Sequence, residues 1–160
     1  GLLFGDNIDS EERNKVLDLV TRWAQVTSRM EMAFNALRFT VYDQSSGMES
    51  EDFEQGRIAA IKVAEEAHKE VTDGQFWPAL ESRTASEMMS GLREKTEDTC
   101  QDYILLLGLG GDDSEDVDSP LDSVRSAKQS LERNLTELSS RSGQLARYYC
   151  ISVQEYQTET

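Results

Sequence analysis

The chain has 160 residues, with 16 Lys and Arg against 31 Asp and Glu, one histidine, and a net charge of −15. That length suits one domain that closes a core without disulfides or a structural metal, and only 2 Pro and 10 Gly among many charges point to helix. The charge disfavours nucleic acid and anionic membranes, which both need a basic surface, and no apolar run approaches the roughly 18 residues of a bilayer span.

Taken in chain order, Asp9-Ser10-Glu11-Glu12 has the form of a capping box, an acceptor side chain followed three residues later by a glutamate. Beyond it Val16, Leu19, Trp23, Val26, Met30, Ala33 and Leu37 alternate in steps of three and four, the a/d seam of a helix packed along a neighbour. This predicts a first helix over 10–43, broken at Ser45-Ser46-Gly47. Ser50 opens a second helix over 50–72, with the stripe Phe53, Arg57, Ile61, Ala64, His68 and Val71, Ala60 and Ala67 alongside it, and a stop at Asp73-Gly74. Pro78 fits the first turn of a third helix over 78–107, since its missing N–H has no partner there. Its seam, through Leu80, Met88, Met89, Leu92, Tyr103 and Leu106, is interrupted by Lys95, Thr96 and Thr99. An acidic loop over 111–118 follows. Ser119, Pro120 and Asp122 then mark the start of a fourth helix over 120–157, with Leu121, Val124, Leu131, Leu135, Leu138, Leu145, Tyr149 and Tyr156 in its seam.

Short connections make sequential helices antiparallel neighbours. The expected fold is therefore all-α: an elongated antiparallel up-down-up-down helical bundle with coiled-coil-like heptad seams, in one domain over 1–160. The first residue being Gly1 reads as a piece of a longer protein.

That topology gathers Leu2, Leu3, Phe4, Ile8, Phe76, Trp77, Ile151, Val153 and Tyr156 at one end. Tyr148, Tyr149, Cys150 and Ile151 run consecutively there, which is wider than one stripe. Such residues either cap the core or anchor a partner, as aromatic clusters do at interfaces. Phe76, Trp77, Tyr148, Tyr149, Ile151 and Tyr156 are the candidate protein-binding residues. The same geometry separates the two cysteines, Cys100 and Cys150, by about 33 Å along the last helix, against the roughly 7 Å a disulfide allows between Cα atoms. Two free thiols suit a reducing compartment, cytoplasm or nucleus.

Catalytic and metal patterns are weak. Glu65 and His68 have the Glu-x-x-His spacing of di-iron bundles, but that site needs a second such motif and His68 is the sole histidine. The same fact weakens nucleophile schemes built on histidine. Gly108 to Gly111 lacks the Gly-Lys-Ser/Thr ending of a phosphate loop. The five carboxylates between Asp112 and Asp118 lack the ligand spacing and central glycine of an EF-hand. No cofactor or metal is expected, and the chain reads as a non-enzyme. Ser119 before Pro120 is a phosphorylation candidate beside its role as a helix cap.

A seam with Trp23 midway along the first helix resembles that of the spectrin-type repeat over residues 10–43. The chain departs from it in having four helical segments where the repeat has three. The resemblance implies a spacer or docking role. Together these features predict a protein-interaction module of an intracellular scaffold or adaptor, binding a helical or basic protein through charge complementarity. The alternative is a homodimer in a cytoskeletal or tethering protein, with the overhanging seam of the last helix paired across a two-fold axis.

Overall fold

The computed structural model describes residues 10–44, 50–110 and 120–157, with side chains over 10–36, 54–108 and 125–157. Four long helices pack together: α1 (Ser10–Gln44), α2 (Ser50–Thr72), α3 (Arg83–Gly110) and α4 (Pro120–Tyr148). A single 3₁₀ turn (Gly74–Phe76) lies between α2 and α3, and a one-turn helix, α5 (Val153–Tyr156), follows α4. No strand occurs among the described residues. Each long helix packs chiefly on its sequence neighbour, while α1 meets α3, α4 and α5 more sparingly.

The predicted seam of α1 is the buried face: Val16, Leu19, Trp23, Val26 and Met30 all lie in the core, joined by Val20. Each such side chain contributes on the order of 1.5–3 kcal/mol through burial. On α2 the buried line is Ala60, Ala64, Ala67 and Val71, with Ile61 and His68 only half-buried. Of the expected stripe Ala64 and Val71 are buried, and the flanking Ala60 and Ala67 are buried more deeply than Ile61 and His68.

The polar interruption in the third seam has a physical reason. Thr96 and Thr99 are fully buried, and Thr96 Oγ1 accepts the indole N–H of Trp23 at 2.9 Å while donating to the Leu92 carbonyl at 2.7 Å. A buried tryptophan needs such an acceptor, and a threonine one turn along the facing seam supplies it. Thr99 donates to the Lys95 carbonyl at 2.7 Å.

Two boundaries differ from expectation. The third helix begins at Arg83, not Pro78, because Ser82 is the residue that caps it: Ser82 Oγ accepts the Ala85 amide at 3.1 Å. Residues 73–82 form a ten-residue connection in place of a tight turn. The connection and α3 complete the end of α2, where the Val71 carbonyl accepts Trp77 Nε1 and the Thr72 carbonyl accepts Arg93 of α3.

The fourth helix ends at Tyr148, not 157. The Ile151 amide donates to the Ala146 carbonyl and the Cys150 amide to that of Arg147, both at 2.9 Å, which closes a Schellman turn. Cys150 holds its left-handed position at φ 56°, where glycine is the usual occupant. Tyr156 therefore does not extend the α4 seam; it enters the core from α5.

In the described part of α4, Leu131, Leu138 and Leu145 are buried within the chain. Leu135 of the same seam is half-buried. The expectations for Leu2, Leu3, Phe4, Ile8, the acidic loop 111–118, Ser119 and the side chains of Leu37, Leu121 and Val124 lie outside the described residues.

Candidate functional site

The six residues singled out from sequence do come together at one end of the bundle. There the first turn of α1, the 73–82 connection, the end of α4 and α5 share one core. Phe76 and Trp77 pack edge to face with ring centres 5.0 Å apart, and Tyr148 and Tyr149 do so at 5.2 Å. Five of the six point inward. Phe76, Trp77, Tyr149, Ile151 and Tyr156 are each at most 7% exposed, and only Tyr148 is half-buried. As they stand, these side chains close the end of the core and leave little apolar surface facing water.

Sequence reasoning missed the polar frame that holds them. Glu12 is buried at the start of α1. Its carboxylate accepts the Tyr149 hydroxyl at 2.5 Å, the Glu81 amide at 2.8 Å and the Ser82 amide at 3.4 Å. These contacts tie the start of α1 to two distant segments; the capping partner expected for Glu12, Asp9, lies outside the described residues. Burial pushes the Glu12 carboxyl pKa up, but the Tyr149 hydrogen bond, the two amides and nearby Lys15 together outweigh it and hold the pKa below the usual carboxylate range. The counterpart is Tyr149, whose phenol is pushed well above its ordinary range by burial and by the Glu12 charge. Tyr148 joins the frame through a 3.0 Å hydrogen bond between its hydroxyl and Ser82 Oγ.

Arg13, the next residue, clasps the C-terminal segment. Its guanidinium donates to the Tyr149 carbonyl at 3.0 Å, the Cys150 carbonyl at 3.1 Å and the Glu155 carboxylate at 3.2 Å. Glu155 also accepts the Ser152 amide at 2.8 Å, and this amide and Arg13 hold its carboxyl pKa below the usual range. The spacing Ser152-x-x-Glu155 is a capping-box pattern, a sequence signal for a separate helix after α4 that the reading of one helix over 120–157 passed over. Arg22 plays a parallel part on the other side, donating to the Phe76 carbonyl at 3.1 Å with its guanidinium 4.8 Å from the Phe76 ring centre.

This arrangement is suited to fixing three chain segments against α1. Its nucleophile candidates are engaged: both tyrosine hydroxyls are hydrogen-bonded within the frame. Elsewhere Cys100 is buried in α3, where burial and the Glu97 charge push its thiol up to about 12, whereas Cys150 is exposed; neither is bridged. Among the described residues no group of three or more His, Cys, Asp or Glu side chains is placed to hold a metal ion, and no helix is long and apolar enough to cross a membrane. Comparison with known proteins brings no relative: no family model, no curated protein and no solved structure matches the chain.

Proposed function

We propose that the chain is a non-catalytic protein-interaction module of an intracellular scaffold or adaptor, built as an up-down-up-down bundle that attracts a basic, helical partner. Three contacts support the alternating directions. Arg29 near the middle of α1 meets Glu70 late in the shorter α2, Arg57 early in α2 meets the Leu107 carbonyl late in α3, and Asp102 late in α3 accepts from Ser130 and Asn134 in α4.

The distribution of charge carries the reading of a basic partner. Four acidic residues in 37–53 and six in 109–124 face a single basic residue, Arg38. The Arg57–Leu107 bond brings together the helix ends from which both stretches leave. The rest of the chain is much closer to neutrality, so the field that steers a cationic partner comes chiefly from these two stretches. Two unbridged cysteines support a reducing compartment.

The test is fluorescence anisotropy with a labelled Lys/Arg-rich amphipathic peptide, titrated across ionic strength. Binding is expected to weaken steeply with salt and to drop about tenfold when Asp112, Asp113, Glu115 and Asp116 are replaced by their amides. Equal binding by the neutralised variant, or no binding at low salt, overturns the proposal.

A further inference from the structure

We infer that residues 150–157 form an arm that two copies of this chain exchange, with Cys150 as the hinge and the first turns of α1 as the cradle. The inference concerns self-association and is independent of the basic partner proposed above.

The hinge is the strained point of the described chain. Cys150 is its only non-glycine residue at positive φ, and its side chain is exposed, so no packing of the thiol compensates for that backbone conformation. A competing conformation is open to it. No Gly or Pro occurs between Gln144 and Thr160, and Leu138, Leu145, Tyr149 and Tyr156 fall on one heptad line, so continuing α4 past the hinge meets no helix breaker and gives up only the Ser152–Glu155 capping box.

The arm has no independent support. One four-residue helix does not stand alone in water, and the arm is held by what α1 offers: Arg13 on the Cys150 carbonyl and on Glu155, and the core that receives Ile151 and Tyr156. The direct packing of α4 on α1 is sparse, so the arm is a principal tie between the first and last long helices. Every one of these anchors is present on a second copy. When two hinges open together, each arm can seat on the other chain with the same Arg13–Glu155 clasp and the same buried Tyr156, while the strain at both Cys150 residues is released. The occupant of the vacated cradle is specified by self-complementarity: a second copy of this chain carries the matching plug.

Light scattering after size exclusion, in reducing buffer, reads the exchange. Cys150→Gly suits the closed turn and resists helix, whereas Cys150→Ala resists the turn and favours helix. Each hinge shifts by about tenfold, and two hinges open per dimer, so Cys150→Ala is expected to dimerise on the order of a hundredfold more strongly than Cys150→Gly. A dimer constant that is equal in the two variants, or monomers of 18.0 kDa for both up to millimolar concentration, overturns the inference.

A charge-swap pair made in the Cys150→Ala background separates exchange from side-by-side association. R13E and E155R each place like charges at their own clasp, whereas an exchanged heterodimer restores opposite charges at both clasps. Mixing the two after brief partial denaturation is expected to give a heterodimer several-fold in excess of either homodimer. A statistical mixture, or no dimer, overturns the exchange.

Discussion

The Trp23–Thr96 layer in the middle of the bundle and the Glu12–Tyr149 frame at its end bury polar atoms to similar depth by opposite chemistry. In the middle a neutral indole N–H meets a neutral hydroxyl at 2.9 Å, surrounded by Val20, Val26, Leu92 and other apolar side chains of the same core. At the end a carboxylate collects a phenol and two amides, and the neighbouring arginine clasps a third segment. The neutral pair satisfies one donor and joins one residue on each of two packed helices. The charged frame connects pieces far apart in sequence, and a buried carboxylate is tolerable there only because several donors surround it. Stability in the middle should therefore be indifferent to pH, and stability at the end should depend on it.

The largest effect expected comes from removing an aromatic body at the end. Trp77 fills core volume and also occupies the Val71 carbonyl through its indole N–H. Trp77→Ala should cost about 3–5 kcal/mol, seen as a lower urea midpoint by circular dichroism. If the variant keeps wild-type stability, Trp77 is not a core residue and the six aromatic-end residues regain their claim as a surface.

Glu12→Gln should cost about 2–3 kcal/mol at neutral pH, the scale of hydrogen bonds to a charged group. The sign with pH follows from its depressed native pKa. The carboxylate's contribution is complete above its unfolded value of about 4.5 and is lost as pH falls through the lower native value. Urea unfolding from pH 7 to pH 3 should show the gap between wild type and Glu12→Gln closing below about pH 4.5. A gap that persists to pH 3 would mean the frame acts through shape, not charge. Thr96→Val sets the contrast: it leaves the Trp23 N–H unsatisfied at about 1–2 kcal/mol, and that loss should be flat over the same pH range.

How much of this was legible beforehand follows from the same contrast. Val16 to Met30 could be read as the buried face of α1 because a period of three and four is a local property. Thr96 looked like a flaw in its seam because its partner, Trp23, lies 73 residues away and the pairing is tertiary. Pro78 seemed to open α3 because its fixed φ suits a first turn, yet Ser82 supplies the side-chain acceptor and prevails. The apolar pattern of α4 carried the eye through Tyr156, since nothing but the Ser152-x-x-Glu155 spacing announces the break. Phe76, Trp77, Tyr149, Ile151 and Tyr156 were rightly placed at one end, but side-chain type alone does not tell an inward ring from an outward one. Glu12 showed only as the glutamate of a capping box and Arg13 left no pattern: their roles in the frame exist only once α1, the 73–82 connection and α5 are brought together.

The smallest effect is expected at Cys150, and its sign is the informative part. A left-handed non-glycine residue costs about 1–2 kcal/mol, which Cys150→Gly relieves. Glycine gives back about 0.4–1 kcal/mol through the greater freedom of the unfolded chain. The net gain is about 0.5–1 kcal/mol, or roughly 1–3 °C in Tm for a chain of this size. Differential scanning calorimetry of the monomer at low concentration measures it without interference from association. A gain shows that the turn after α4 is held against a local preference by Ile151, Tyr156 and the Arg13 clasp. A loss would mean that the exposed thiol contributes a contact of its own, and the end of the bundle would then owe its closure to the hinge as well as to the frame.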